Sequence, residues 1–242
     1  MKRAIVFGAT GGIGQAICQE LARAGWSLYL HYCQDQTKAE NLLKKLINSY
    51  PNQDFMAIQF DFMSDHEQMK KFVNSLLPIN AAVFAQGITK YGFLNDQKLE
   101  EIDQVVKINM TAPIELTKLL EDQLIKHDFS RIVYLGSVYG GQGSALESVY
   151  SATKAGLSRF SQAYGREVIS AGLTVNVVSP GAVDTPMNAM LSRDSMELVK
   201  EEIPAGRFAE GKDIAYWVKT LLEPDSSYCT GQTIYVSVGW LV

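Results

Sequence analysis

"FGATGGIGQAI" (residues 7–17) is the stretch that decides the fold. Before it runs a short apolar segment, "RAIVF" (3–7). After it, Ile13, Ile17 and Leu21 recur at i, i+4 and i+8, the spacing of one helix face. Gly8, Gly12 and Gly14 make a G-x-x-x-G-x-G turn between the two. Such a turn needs residues without Cβ if backbone N–H groups and a helix N-terminus are to approach a pyrophosphate. A glycine-rich turn can be purely structural, but its place after the first strand and at the start of a helix points to a nucleotide. Gly8, Thr10, Gly12, Ile13 and Gly14 are therefore the candidate phosphate-binding residues.

The same alternation continues along the chain. "LYLHY" (28–32), "FMAIQF" (55–60), "AAVFA" (81–85), "RIVYL" (131–135), "TVNVV" (174–178) and "TIYV" (233–236) read as further strands, seven with the first. Their continuous apolar character suits strands buried on both faces of a parallel sheet. Helix-length segments fall at 12–24, 37–49, 64–77, 98–125, 150–170 and 213–222. Strand–helix alternation of this kind predicts an α/β fold: one doubly wound, Rossmann-type domain over residues 1–242, with a seven-stranded parallel sheet covered by helices on both faces.

Bulk properties exclude several functions. A net charge of −4 gives nucleic-acid binding no electrostatic support. The apolar run after the basic N-terminus is only Ala4 to Phe7, too short for a signal peptide, and no stretch is long enough to span a membrane. Cys18, Cys33 and Cys229 are odd in number and far apart, as expected of reduced thiols in a cytoplasmic protein. No His/Cys/acid spacing suggests a metal site, so none is expected.

"YSATK" (150–154) sets a phenol and an ammonium four positions apart at the start of a predicted helix. Residues at i and i+4 share a face, about 5–6 Å apart at Cβ. A neighbouring ammonium favours phenolate, so Lys154 is expected to lower the Tyr150 pKa and tune it for proton transfer. Alone, the pair could equally be two surface side chains. "QFDFMSD" follows the third strand, and its Asp61 could accept from an adenine amino group, cap a helix or be solvated.

With the glycine loop, "LGSVYG" (135–140) and "YSATK", the chain resembles the short-chain dehydrogenase/reductase family over its whole length. Ser137 stands thirteen residues before Tyr150, as in that family; "VVSPGAVDTPM" (177–187) and "KIN" (107–109) match its later motif and its helix-borne asparagine. The resemblance implies that Tyr150 is the acid/base and that Lys154 tunes it and binds the nicotinamide ribose. It further implies that Ser137 donates to the substrate oxygen and that Asn109 links the lysine to bulk water; the alternative for Asn109 is a kink inside its helix. Pro180, Gly181, Val183 and Thr185 would lie beside the nicotinamide; Tyr32, Asp61, Phe62, Ala85 and Gly87 would line the rest of the cofactor site. The reaction would be hydride transfer to a ketone carbonyl, giving a secondary alcohol.

Three departures stand out. Phe7 replaces the family's threonine before the first glycine, "FAQG" (84–87) replaces asparagine-asparagine-alanine-glycine, and Ser237, Val238 and Gly239 replace an acid-glycine-glycine turn. At the end of the second strand Tyr32 stands where relatives that prefer NAD carry an aspartate, so NADP(H) is expected, with NAD(H) second. Gly11 occupies a place often basic in NADP enzymes, and Lys38 is a candidate substitute.

From "IPAGRFAEGKDIA" (203–215) the chain looks most like the 3-oxoacyl-[acyl-carrier-protein] reductases. Those enzymes hold the acidic carrier with two arginines; Asp128 and Ala171 stand at the matching places, with Lys126, Arg131 and Arg166 as candidate substitutes. The histidine-tyrosine pair and the altered "FAQG" also resemble reductases of the 5-aminopentanone modification on elongation factor P. A ketone borne by a small molecule, a carrier or a protein is thus the expected substrate. A nucleotide-sensing protein without turnover is the alternative from another class. The segment 188–207, with Met190, Leu191, Met196 and Leu198, is expected to be a loop lid over the substrate, with helix packing as the plainer reading of its methionines. The helices at 98–125 and 150–170 are expected to build a homotetramer or homodimer.

Overall fold

The computed structural model describes residues 2–185 and 193–241. Seven strands form one parallel sheet: β1 (Arg3–Phe7), β2 (Ser27–Tyr32), β3 (Phe55–Gln59), β4 (Ala81–Phe84), β5 (Ser130–Leu135), β6 (Leu173–Pro180) and β7 (Thr233–Val236). Their order is β3-β2-β1-β4-β5-β6-β7. The strand order reverses between β1 and β4, and in such sheets the crevice beyond the carboxyl ends at that point is where ligands bind.

Helices α1 (Gly12–Arg23), α2 (Gln36–Ser49) and α8 (Gly211–Leu222) share one apolar core with one face of the sheet. On the other face lie α3 (His66–Asn74), α5 (Ala112–Leu124) and α6 (Ser148–Val168). The helix read over 98–125 is interrupted. It consists of α4 (Leu99–Val106), a π-helical turn (Lys107–Thr111) and α5. Pro113, which has no N–H, cannot return the i+4 bond to the Asn109 carbonyl, and the local widening sits just ahead of it.

The segment read as a loop lid contains a helix, α7 (Arg193–Glu202). Met196 packs against a small cluster of Val138, Ile203, Phe208 and Trp240, whereas Leu198 is exposed. Met190 and Leu191 lie outside the described residues, as do Pro186 and Met187 of the "VVSPGAVDTPM" motif.

The departures at Phe7 and Phe84 meet each other. The two residues are register partners on β1 and β4, and their rings stack at 4.7 Å and 17°. Tyr134 of β5 extends the stack at 4.9 Å and 20° from Phe84. Rings thus bridge three central strands where the family uses asparagine amides.

Candidate active site

The strand ends bring the candidate residues to one rim of the sheet. Gly8 follows β1, Tyr32 ends β2, Asp61 follows β3, Ala85 to Gly87 follow β4, Ser137 follows β5 and Pro180 ends β6.

The glycine loop has the shape a phosphate requires. Gly8 has a φ of +75°, and a Cβ there would come within 2.7 Å of the Gln86 nitrogen. A Cβ at Gly14 would run into the Gly8 carbonyl. α1 opens at Gly11 with no side chain capping it and no acid in its first turn, so its N–H groups remain available to an anion. Gln15 Nε2 holds the loop by donating to the Thr10 carbonyl at 3.0 Å. Donor set and clearance both fit a dinucleotide pyrophosphate.

Asp61 accepts from the Met63 N–H at 2.9 Å, closing a turn after β3. The Phe62 ring is buried between Phe7 and His31, at 5.5 and 5.3 Å, so cofactor contact from this residue falls to its backbone. Lys38 is engaged with Asp35 at 2.8 Å, beside the cap of α2. At the other end, the Gly181 N–H donates to the Val236 carbonyl at 3.0 Å, while Val183 is buried and bridges to Ala209.

Ser137 is extended and caps a short 3-10 turn, its Oγ accepting from the Tyr139 N–H at 3.2 Å. Gly140 in that turn lies so close to α6 that a Cβ would meet the Lys154 carbonyl carbon at 2.8 Å. The Ser137 hydroxyl stands near enough to Tyr150 to favour its ionised form. Lys154 Nζ lies 5.6 Å from the Tyr150 ring centroid and donates to the Leu135 carbonyl at 2.7 Å.

The electrostatics reverse one expectation. Tyr150 is not drawn toward neutrality; burial pushes it up to about 12, against the Ser137 hydrogen bond and with help from the Glu147 carboxylate. Burial likewise draws Lys154 down to about 8. The desolvation that both groups share opposes the charged form of each.

Asn109 sits in the π-helical turn, fully buried. Its Oδ1 accepts from the Ile88 N–H at 2.9 Å and its Nδ2 donates to the Ile88 carbonyl at 2.8 Å. The amide therefore fixes the chain just after Gly87, where a Cβ would lie 3.4 Å from Lys154 Nζ. With that amide spent on Ile88, a water link from this turn falls to its backbone.

Two further residues lie close to the site. Glu147 stands one helical turn before Tyr150 and accepts from Thr89 Oγ at 2.7 Å. His31, at the end of the run "LYLH", is buried beneath the glycine loop. Arg131, a candidate contact for an acidic carrier, is buried, with its guanidinium donating to the carbonyls of Ser130, Gly172, Glu223 and Pro224. Lys126 and Arg166 are exposed.

Among the described residues no group of His, Cys, Asp and Glu could hold a metal ion, and no helix is long and apolar enough to cross a membrane.

The short chain dehydrogenase family model matches residues 2–196. The chain is 33% identical over 240 residues to the uncharacterized oxidoreductase YmfI of Bacillus subtilis, covering 99% of this chain and 98% of that one. It is 32% identical over 241 residues to the 3-oxoacyl-[acyl-carrier-protein] reductase FabG of Staphylococcus epidermidis, covering 98% of each. A variant of the actinorhodin polyketide ketoreductase with NADPH superposes with a TM-score of 0.92 at 26% identity, over 99% of this chain and 97% of that one. A strand-end serine, a tyrosine and a lysine converging beside a glycine loop agree with these matches, and the chain belongs to the short-chain dehydrogenase family of oxidoreductases.

Proposed function

We propose that the chain is an NADPH-dependent reductase that converts a ketone into a secondary alcohol. The convergence of Ser137, Tyr150 and Lys154 beside Gly87 carries this reading. Gly8, Thr10, Gly12, Ile13, Gly14 and the start of α1 would hold the pyrophosphate. Tyr32, which presents no carboxylate, would face the 2′-phosphate, and Asp61 with the Phe62 backbone would face the adenine. Ala85, Gly87, Pro180, Gly181, Val183 and Thr185 would line the nicotinamide half. The bound cofactor supplies a hydride to the carbonyl carbon.

The protein supplies the rest. The Ser137 hydroxyl donates to the substrate oxygen, where negative charge develops. Tyr150, with a pKa near 12, is protonated at neutral pH and gives its proton to that oxygen. The Lys154 ammonium steadies the tyrosine oxygen left behind, and Asn109 keeps Gly87 and Ile88 in place beside it.

A second reading concerns the substrate's carrier. Asp128 is exposed and Arg131 is buried, so two of the positions considered for holding an acidic carrier offer it nothing. Glu147, next to Tyr150, would favour a substrate bearing a cation. Both features support the 5-aminopentanone modification of elongation factor P as substrate over a carrier-borne 3-oxoacyl group. The test is NADPH consumption with acetoacetyl-carrier protein, the same acyl group on a small thiol, and the modified elongation factor. No turnover of any of the three refutes the reductase reading. A strong preference for the carrier refutes the second reading alone.

A further inference from the structure

The glycine loop is tied to β2 by the histidine of the histidine-tyrosine pair. His31 Nδ1 accepts from the Gly8 N–H at 3.1 Å, and the His31 carbonyl accepts from the Ala9 N–H at 3.0 Å. One residue of β2 thereby holds two successive N–H groups of the loop. On its far side, His31 Nε2 meets the Phe60 carbonyl at 3.0 Å. Since a backbone N–H can only donate, Nδ1 must accept, and Nε2 carries the proton that goes to Phe60.

The chain of bonds runs further. The Gly8 carbonyl accepts from the Gly11 N–H at 3.0 Å, and Gly11 is the residue at which α1 opens. The relay thus joins the end of β3, where Asp61 and Phe62 stand, to the helix N-terminus that faces a pyrophosphate. Phe7 at 5.2 Å, Phe62 at 5.3 Å and Phe72 at 6.5 Å surround the imidazole, and Asp61 is the charged group whose field reaches it. Burial keeps it neutral, with a pKa lowered to about 4.

We propose that His31 is a positioning residue for the cofactor, which as the neutral Nε2–H tautomer sets the shape of the phosphate loop and aligns it with the adenine side of the site. Tyr32 and His31 then divide the work of the histidine-tyrosine pair: one faces the cofactor and the other holds the loop from below. This rests on the chain binding a nicotinamide dinucleotide.

The test is NADPH binding measured by fluorescence without ketone substrate, on the full chain and on His31→Leu. Removing the acceptor leaves the Gly8 N–H unpaired, and the expected Kd increase is on the order of tenfold. kcat at saturating NADPH should change much less, because Ser137, Tyr150 and Lys154 are untouched. His31→Asn, small enough to be housed if the leucine variant fails to fold, should also weaken binding, because it loses the reach to Phe60. The nitrogen chemical shifts of His31 in the wild-type protein should report an Nε2–H imidazole. An Nδ1–H tautomer, or variants that lose thermal stability while keeping the wild-type Kd, would overturn the proposal. Wild-type protein that binds no NADPH would instead refute the cofactor reading itself.

Discussion

Phe7 and Phe84 should be energetically coupled, because each occupies a place made for the other. Both are essentially inaccessible to solvent, and Phe84 is sandwiched between Phe7 and Tyr134 at 4.7 and 4.9 Å. Tyr134 is anchored in turn through its hydroxyl, which shares a hydrogen bond with Thr117. Replacing either phenylalanine by leucine keeps the site apolar but removes the stacked ring, at a cost of about 1–2 kcal/mol for the change of shape. Aromatic pairs contribute about 0.5–1.5 kcal/mol beyond the area they bury. After the first substitution that part is already gone, so the second should cost less by about 1 kcal/mol.

The assay is a double-mutant cycle of Phe7→Leu and Phe84→Leu, followed by urea unfolding with matched m-values. For a chain of this size, about 1 kcal/mol is a Tm difference of roughly 2–4 °C. Additivity within about 0.3–0.5 kcal/mol would refute the coupling, since that is the scatter expected of independent sites. Phe7→Thr, which puts the family's residue back alone, should be worse than leucine. It leaves a void and a hydroxyl facing the Phe84 ring, with a loss of about 3–5 kcal/mol on the scale of large-to-small changes.

Tyr150→Phe should abolish reduction and leave NADPH affinity within about twofold, because the lost hydroxyl serves the substrate oxygen; equal loss of both would sink the assignment. The alkaline limb of kcat/KM should follow Lys154, near 8, rather than Tyr150, near 12; activity sustained to pH 10 would contradict it. Because the folded pKa of His31 lies near 4, below its ordinary value of 6.5, the unfolded chain takes up the proton first. Stability should therefore be intact above about pH 6.5 and fall by about 2 kcal/mol between pH 7 and 5, a loss that His31→Leu should not show in urea titrations. Val238 carries a φ of +51°, a conformation costly for a β-branched residue, and it is exposed. Val238→Gly should raise Tm by roughly 2–4 °C, and a fall would mean the turn is held by contacts of that side chain.

The sheet was legible because buried parallel strands are written as plain apolar runs, and the glycine loop because a missing Cβ is visible as a letter. The interruption at Lys107–Thr111 falls at Asn109, where a helix-interior kink was the alternative to a water link, and its cause stands in the chain as "NMTAP": a proline four residues after Asn109 removes one donor. α7 lies in the segment read as a loop because it packs through a few residues, Met196 and Val199 among them, while most of its other positions are charged. The Tyr150–Lys154 pair was placed correctly, and its electrostatics were not. Spacing reports which groups are neighbours, but the cost of desolvating them depends on everything packed around them, and no local pattern carries that. For the same reason Arg131 looked like a docking charge until its carbonyl partners were seen.

The departures from the family follow one physical rule: a lost polar support is replaced by whatever can satisfy the same neighbours. The asparagine bridges between central strands gave way to stacked rings, which need no donors or acceptors. Gln86, in the same altered motif, donates its Nε2 to the Ile108 carbonyl at 3.3 Å, beside the π-helical turn. With phenylalanine at position 7, the Gly8 N–H is held by His31 from β2. Each exchange preserves the position of a backbone segment that borders the site while changing the side chain that secures it. The rule concerns the supports of the site, where Lys154 Nζ lies 5.6 Å from the Tyr150 ring centroid. It also separates Val238 from the rest. There the glycine's role was conformational freedom, which no packing partner can replace, and the strain stays where the substitution was made.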